Sequence, residues 1–183
     1  MIAIVDYGVG NLFSLKSSLA AIGAETVVTG DAADRLRESG LDAVVVEQAN
    51  AGKPLLGICL GMQLLFDRGF EYGEHAGLGL ISGSVRPIAD VIGPGLKIPH
   101  IGWNALHLVR GGGPLLRRIK EGDCVYFVHS FYAADCEEAV IATAEYGAPL
   151  TAAVQRDNVF GCQFHPEKSG PVGLIILRAF SEL

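Results

Sequence analysis

The chain has 183 residues, of which 14 are Lys or Arg and 20 are Asp or Glu, so its formal net charge is −6. This length suits one domain with its own core, and the acidic balance lacks the positive field that nucleic-acid binding requires. Half of the residues are apolar and 19% are charged, which excludes a disordered chain. We therefore expect a single domain over residues 1–183 and no nucleic-acid partner.

The apolar segments predict neither a membrane span nor a secretory leader. The longest of them are interrupted before the roughly 18 residues that a spanning helix needs, and residues 1–6 carry no basic region. The four cysteines have neither metal-ligand spacing nor the density of a disulfide scaffold. We predict a cytoplasmic protein with reduced thiols and no membrane partner.

The first half of the chain alternates between strand and helix patterns, which indicates an open α/β fold. The predicted elements are, in chain order, strand Met1–Val5, helix Leu12–Ile22, strand Glu25–Val28, helix Ala32–Ser39, strand Leu41–Val46, strand Pro54–Ile58 and a helix from Leu60 that carries Met62, Leu65 and Phe66. The run Leu41–Val46 is mostly apolar, as is typical of a strand buried on both faces of a parallel sheet.

The second half consists mainly of short strands separated by Gly, Pro and Asp. The predicted elements are strands Leu80–Pro87, Lys97–Leu108, Cys124–Tyr132, Ala139–Glu145, Thr151–Arg156 and Val159–Phe164, and a closing helix Val172–Phe180. Short strands in direct succession favour an antiparallel or mixed layer beside the α/β part.

One cysteine lies in a sequence typical of a nucleophile elbow. Cys59 has Gly57 two residues before it and Gly61 two residues after it, between a predicted strand and a predicted helix. This is the spacing of the GxSxG elbow with sulfur in place of the hydroxyl. The N-terminus of a helix would also favour the reactive thiolate. A lone cysteine is more often an inert buried side chain, but this setting favours a nucleophile.

A candidate base and its orienting group lie near the end of the chain. His165 and Glu167 are two residues apart, so their side chains point to the same side of an extended segment, and Pro166 disfavours a helix at the residue before it. His165 would carry the proton of a cysteine nucleophile while Glu167 fixes its tautomer. For this tripeptide alone a surface loop is the simpler interpretation, but the pairing with Cys59 favours a catalytic triad.

The other histidines and cysteines are weaker candidates. Two histidines in apolar strands are expected to be hydrogen-bonded core or rim residues: His100 and His129. Two more are expected to do no chemistry: His75 and His107. The remaining cysteines have no glycine elbow and are expected to be core thiols: Cys124, Cys136 and Cys162.

These segments together resemble the class I (triad) glutamine amidotransferases, and among them the HisH family, the glutaminase subunits of imidazole glycerol phosphate synthase. The class is indicated by two blocks, Gly57–Gln63 and His165–Glu167. The family is indicated by four more, Asp6–Asn11, Lys97–Asn104, Tyr126–Tyr132 and Phe164–Ser169. The resemblance implies a flavodoxin-like α/β fold, with an open, mostly parallel sheet, flanking helices and an antiparallel extension.

The resemblance also implies an activity. Cys59 would attack the side-chain amide of glutamine and form a glutamyl thioester, with His165 as the acid and base and Glu167 as its orienting group. The released ammonia would pass to a (β/α)8, HisF-like cyclase subunit, the partner in a heterodimer of histidine biosynthesis. No metal and no organic cofactor are implied.

Further roles follow from the resemblance, residue by residue. The positions that would hold glutamine are Leu60, Gln63, His129, Ser130 and Phe131. The positions that would face the cyclase are Asn11, Trp103 and Lys168.

One expected element of the family is missing from the predicted pattern. Class I glutaminases carry an oxyanion loop of Pro-Gly-Val-Gly type after the strand that precedes the nucleophile strand, but only seven residues separate Val46 from Pro54. Because a parallel crossover needs a dozen or more residues, either the two strands are not joined by a normal right-handed helical crossover or sequence has been lost. We expect a deletion of the loop and its following helix near 47–53. Losing one oxyanion donor lowers turnover by about 10²–10³. The alternatives are therefore an impaired or inactive docking subunit and, less favoured by the blocks above, a different triad hydrolase.

Overall fold

The computed structural model describes residues 2–5, 12–29 and 40–183. The helices are Leu12–Ala21 (α1), Leu41–Asn50 (α2), Leu60–Gln63 (α3) and Gly170–Ser181 (α4). The strands are Ile2–Val5 (β1), Thr26–Thr29 (β2), Leu55–Ile58 (β3), Phe66–Gly69 (β4), His75–Ala76 (β5), Ile81–Pro87 (β6), His100–Ala105 (β7), His107–Leu108 (β8), Cys124–His129 (β9), Phe131–Ala134 (β10), Val140–Glu145 (β11), Pro149–Arg156 (β12) and Val159–Cys162 (β13). The predicted helix Ala32–Ser39 lies outside the described residues.

The strands form mixed sheets. The largest has the order β3-β13-β12-β11-β8, beside a four-stranded sheet β10-β6-β4-β5 and the pairs β1-β2 and β7-β9. Among the described residues six strand pairs are antiparallel and three are parallel. The predicted α/β class is confirmed, and the antiparallel part is more extensive than an extension to a parallel sheet.

Most predicted strands are present close to their expected bounds. The predicted strand Lys97–Leu108 is divided into β7 and β8, and Cys124–Tyr132 is divided into β9 and β10. The predicted strand Val159–Phe164 already ends at Cys162. Gln163 makes the next hydrogen bond to β12, from its N–H to Ala152 O at 2.9 Å. The chain then leaves the sheet. This exit brings the following residues over the carboxyl end of β3.

The strand predicted at Leu41–Val46 is wrong, because this segment is the first part of α2. Leu41 and Val45 are partly buried and Ala49 is buried, at a spacing of four residues, whereas Val44 is 48% exposed. A run of β-branched residues favours a strand locally. One apolar stripe against the core is nevertheless what a surface helix needs, and packing decides in favour of the helix.

The connection from α2 to β3 is short and is held by a side chain from the turn before β13. Asn158 Nδ2 donates to Ala49 O at 2.8 Å and to Lys53 O at 2.7 Å, and Leu55 N–H donates to Asn158 O at 3.0 Å. A helix therefore leads directly into the nucleophile strand. A seven-residue connection between two parallel strands, which would have required a deletion near 47–53, does not occur.

The helix after the nucleophile is shorter than predicted. It begins at Leu60 as expected but ends at Gln63, where Leu65 N–H donates to Met62 O at 3.0 Å and closes the turn. Phe66 opens β4, which pairs in parallel with β6. Because one turn aligns only a few peptide dipoles, its support for a thiolate is smaller than that of a full helix.

Two apolar clusters enclose the junction of β3 and α3. One includes Phe127, Phe160 and Phe164 and is covered by α4, and the other includes Met62 and Phe66 beneath the four-stranded sheet. The nucleophile elbow therefore lies between two well-packed parts of the core.

Among the described residues, no helix is both long and apolar enough to cross a membrane.

Candidate active site

The predicted sharp turn from strand to helix is present at Cys59. The backbone there has φ 53° and ψ −112°, a conformation that a residue with a Cβ rarely adopts and that costs about 1–3 kcal/mol. Gly57 faces the first turn of α3 so closely that a Cβ would lie 2.5 Å from Gly61 O. A glycine is therefore required at Gly57 for α3 to fold back over β3.

The sulfur of Cys59 lies where three segments meet. Cys59 N–H donates to Cys162 O at 2.7 Å, which anchors the elbow on β13. Its Sγ lies 4.0 Å from Val128 O on β9 and 3.8 Å from Gln163 Nε2, just beyond β13. The nucleophile is thus surrounded by backbone and side-chain dipoles that the core holds in place.

His165 and Glu167 form the expected pair, but through a turn and not along an extended segment. Pro166 opens a 3-10 turn, Pro166–Lys168, which brings His165 Nδ1 to 2.7 Å from Glu167 Oε1. The two side chains are 9% and 4% exposed. A carboxylate acceptor at this distance fixes the proton on Nδ1 and leaves Nε2 for exchange with the nucleophile.

The electrostatics of His165 favour its protonated form. Burial by itself lowers the pKa of His165, but hydrogen bonds to Cys59 and Glu167 and the charges of these two groups outweigh it and raise the pKa to about 9. At neutral pH the imidazolium therefore faces the sulfur, the arrangement in which a cysteine attacks as a thiolate. The three side chains have the geometry of a nucleophile, an acid–base and an orienting group.

The turn that carries the pair is fastened to β9. His165 N–H donates to Tyr126 O at 2.9 Å, and Ser169 Oγ donates to His165 O at 2.7 Å while it accepts from Tyr126 N–H at 3.0 Å. On the other side α4 packs so closely against the turn that a Cβ on Gly173 would lie 1.8 Å from Pro166 O. The position of His165 is therefore set by the contacts of its backbone with β9 and Ser169 and by the packing of α4 against the turn.

The five residues implied in substrate binding surround the elbow. Leu60 is the first residue of α3 and Gln63 is its last, and Gln63 Nε2 lies 3.4 Å from Phe131 O. His129 ends β9, and its Nδ1 donates to Phe131 O at 2.7 Å. Ser130 joins β9 to β10, and its carbonyl accepts from Ile88 N–H at 2.9 Å. The structure thus joins Gln63 of α3 and His129 of β9 through Phe131 O.

Two of the three residues implied at a partner interface share a surface, and Asn11 lies outside the described residues. Trp103 is 55% exposed and stands opposite Tyr126 across the β7-β9 pair, with ring centroids 6.0 Å apart. Lys168 Nζ lies 6.0 Å from the centroid of the Tyr126 ring. This aromatic and basic surface begins one residue after Glu167.

Two residues near the nucleophile were not predicted from the sequence. Gln163 is fully buried and touches the sulfur, and Ser169 is 1% exposed and holds the catalytic turn. An uncharged polar residue inside the apolar run 159–164 is the one signal that pointed to Gln163, since buried amides need partners. No spacing rule pointed to Ser169.

The remaining histidines and cysteines divide by burial. His100 and His129 are buried and their Nδ1 and Nε2 atoms lie 3.0 Å apart, as expected for core histidines. Burial raises the pKa of Cys136 to about 11 and raises that of Cys162 further. The expectation for Cys124 is wrong, because the short strand pairing of β9 leaves it exposed. The described residues contain no cluster suited to a metal ion.

Acid conditions are expected to destabilise the fold through His129. Burial, with smaller contributions from His100 and His165, lowers the pKa of His129 from 6.5 to about 4, against the opposing hydrogen bond to Phe131 O. Between these two values the unfolded chain binds a proton that the folded chain does not, so the free energy of unfolding falls as the pH falls. This contribution is complete above pH 6.5 and is lost as the pH falls through about 4.

Urea unfolding at a series of pH values measures this effect. The variant His129→Asn keeps an N–H donor for Phe131 O but cannot titrate, so its stability should depend less on pH over the same interval. An equal pH dependence in both proteins would assign the acid sensitivity to other groups.

The comparison with protein families decides the class. The sequence matches the model of the family described as "Glutamine amidotransferase class-I" over residues 27–180. The chain belongs to the class-I glutamine amidotransferases. Cys59, His165 and Glu167 all lie inside the matched range.

Relatives of this amidotransferase carry a more specific name. The protein "Imidazole glycerol phosphate synthase subunit HisH" of Wolinella succinogenes is 44% identical over an alignment of 205 residues that covers 100% of both chains. The protein of the same name from Bacillus licheniformis is 45% identical and is covered to 96%. The alignment extends over 205 residues and this chain has 183, so the amidotransferase is shorter than these relatives.

Solved structures agree with the fold of the amidotransferase. A crystal structure of a glutamine amidotransferase superposes with a TM-score of 0.72 at 20% identity, over 100% of this chain and 98% of that one. A glutamine amidotransferase from Thermotoga maritima superposes with a TM-score of 0.63 at 15% identity, over 90% and 75% of the two chains. At these identities the likeness concerns the fold alone.

Proposed function

We propose that this amidotransferase is the glutaminase subunit of an imidazole glycerol phosphate synthase, which hydrolyses glutamine and passes ammonia to a cyclase subunit in cytoplasmic histidine biosynthesis. The observation that carries the proposal is the buried pair of His165 and Glu167, 2.7 Å apart, beside the strained elbow at Cys59, which together with Glu167 raises the pKa of His165. Relatives that are 44–46% identical over the full chain and are named as HisH subunits support the reaction and the partner.

In the first half-reaction the thiolate of Cys59 forms a bond to the side-chain carbonyl carbon of glutamine. Protonated His165 gives its proton to the departing nitrogen, the carbon–nitrogen bond breaks, and ammonia leaves a glutamyl thioester behind. Glu167 holds the ring in position and stabilises the imidazolium before the transfer.

In the second half-reaction His165, now neutral, takes a proton from water. The hydroxide adds to the thioester carbon, the carbon–sulfur bond breaks, and glutamate is released. Cys59 returns to a thiolate and His165 to an imidazolium, so the cycle closes without a cofactor.

One donor to the oxyanion of both tetrahedral intermediates comes from α3. Leu60 is the first residue of that helix and has no carbonyl one turn earlier within it, so its N–H is free of the helical hydrogen bonds. Gln63 would hold glutamine through its carbonyl oxygen, since its Nε2 is already bonded to Phe131 O and Gln163 Oε1. His129, Ser130 and Phe131 are proposed to hold glutamine as well.

The cyclase would dock on the surface formed by Trp103, Tyr126 and Lys168. An exposed tryptophan beside a cation is typical of interface centres, and the surface continues from the catalytic turn without interruption. A partner seated there would lie within one residue of Glu167. Asn11 is assigned to the same face on the resemblance alone.

Residues 1–183 are proposed to form one amidotransferase domain that is shorter than its relatives, since the alignment with one of them extends over 205 residues. The deletion predicted near 47–53 rested on a strand at Leu41–Val46, where the structure has α2 leading into β3 through a connection held by Asn158. The alternative of an impaired docking subunit is not favoured, because nucleophile, base and carboxylate are assembled.

The test is a glutaminase assay on the assembled complex. The chain is mixed with a HisF-type cyclase and its ribonucleotide substrate, and glutamate and imidazole glycerol phosphate are measured together. We expect both products in equal amounts, and much less glutamate from the chain alone. A complex that forms but makes imidazole glycerol phosphate only from added ammonia would contradict the proposed activity.

A further inference from the structure

A buried pair of glutamine side chains connects the backbone of β10 to the nucleophile. Gln63 Nε2 lies 3.4 Å from Phe131 O and 3.0 Å from Gln163 Oε1. Gln163 Nε2 lies 3.8 Å from Cys59 Sγ. The three contacts form a continuous chain that ends at the reacting sulfur.

The direction of this chain is determined by its first member. A carbonyl oxygen only accepts hydrogen bonds, so Phe131 O requires the NH2 end of Gln63, just as it requires the proton on His129 Nδ1 at 2.7 Å. The same NH2 group then reaches the oxygen of Gln163. The nitrogen of Gln163 is therefore the end that faces Cys59.

The opposite orientation of Gln163 is unfavourable at both ends. It would set an oxygen against the sulfur of Cys59 and a nitrogen against Gln63 Nε2, so that two like dipoles would repel. Gln163 is also fully buried, and inside a protein both an attraction and a repulsion of this kind are stronger than in water. Gln163 has no competing solvent contact that would let it turn.

We infer that Gln163 is a further catalytic residue, whose amide N–H donates to the Cys59 thiolate, and that Gln63 is the positioning residue that aims it. The inference rests on the proposed function only for the use of that thiolate. Donation to sulfur stabilises the anion before attack and again when the thioester breaks. The Gln163 amide approaches the sulfur from the end of β13, whereas the His165 ring approaches it from the start of the 3-10 turn.

The test is alkylation of Cys59 by iodoacetamide, which needs neither glutamine nor the cyclase. The rate is followed by mass spectrometry of the peptide that contains Cys59, over a range of pH. In Gln163→Leu, which removes the donor at similar size, we expect the rate at neutral pH to fall about tenfold, the usual effect of losing one hydrogen bond to a charged group. The rise of the rate with pH should move to higher pH.

Gln163→Glu separates donation to the sulfur from a purely structural role. The carboxylate keeps the volume and the acceptor for Gln63 but replaces the donating nitrogen by oxygen. Donation to sulfur predicts a loss at least as large as in Gln163→Leu, because the donor is removed and the new carboxylate also repels the thiolate. A wild-type rate would mean that the amide N–H gives the thiolate no support. Gln63→Leu changes a partly exposed position. It should lower the alkylation rate less, because it removes only the group that orients the Gln163 amide.

Gln155→Leu is the matched control. It removes an amide of the same size from β12, where Gln155 Nε2 donates to Asp157 O at 3.1 Å, and it should leave alkylation unchanged. Wild-type alkylation in Gln163→Glu or in Gln63→Leu would overturn the inference. If the wild-type complex showed no glutaminase activity but the variants still differed in alkylation rate as expected, the proposed function would be contradicted and the role of Gln163 would not.

Discussion

Replacing Cys59 by alanine is expected to reduce glutamine hydrolysis by the complex about 10⁵–10⁶-fold, the loss seen when a triad nucleophile is removed. The reason is that the elbow holds one thiol, and the two buried thiols of the core cannot take over its role. Cys162 is completely buried, Cys136 is 6% exposed, and burial raises the pKa of both. Glutamate release by the complex with its cyclase and nucleotide substrate measures the effect.

The same variant should leave two properties unchanged. Complex formation should persist, because the surface around Trp103 and Lys168 does not include the sulfur, and the cyclase should still use added ammonia. Cys124→Ala is the matched control, since it removes an exposed thiol from β9 and should retain full hydrolysis. Hydrolysis that survives in Cys59→Ala would remove this cysteine from the mechanism.

Gly173→Ala is expected to impair both stability and activity. The added Cβ would lie 1.8 Å from Pro166 O and 2.7 Å from Pro166 C, so α4 and the catalytic turn cannot both keep their positions. Overpacking against backbone should lower the free energy of unfolding by about 3 kcal/mol. A displacement of His165 by up to about 1 Å should lower kcat about a hundredfold.

Denaturant unfolding and glutaminase kinetics, both measured well below the melting temperature, separate the two effects. Gly93→Ala is the control, because a Cβ at Gly93 meets nothing within 4 Å, and a change of less than about 0.5 kcal/mol is expected there. Unchanged kcat in Gly173→Ala would mean that the turn does not depend on the contact with α4.

The glycine and proline positions explain why much of the site was predictable. Gly57 is required by the close approach of Gly61, and this requirement is visible as a spacing around Cys59. Pro166 and the two-residue separation of His165 from Glu167 likewise indicate a fixed local geometry, although the pair meets through a 3-10 turn. Such signals lie within a few residues of each other, so the sequence contains them.

The error at Leu41–Val46 shows where local signals are insufficient. Three consecutive valines favour a strand by propensity, yet the segment is a helix whose one stripe is covered by the core. The length of α3 was overestimated for the same reason, since pairing of Phe66 with β6 ends it after one turn. In both cases the partner surface, which is distant in sequence, decides the local conformation.

The sequence by itself determined the α/β class, the elbow at Cys59 and the pairing of His165 with Glu167. Glycine permits a close approach that a Cβ would block, proline fixes its own φ, and β-branched residues favour strands, so each acts on the backbone at its own position. Only the tertiary structure decided that Leu41–Asn50 is helical, that Ser169 fastens the catalytic turn to β9, and that Gln163 faces the sulfur. These features depend on which groups are buried together, and the local pattern around one residue does not name a partner that is distant in sequence.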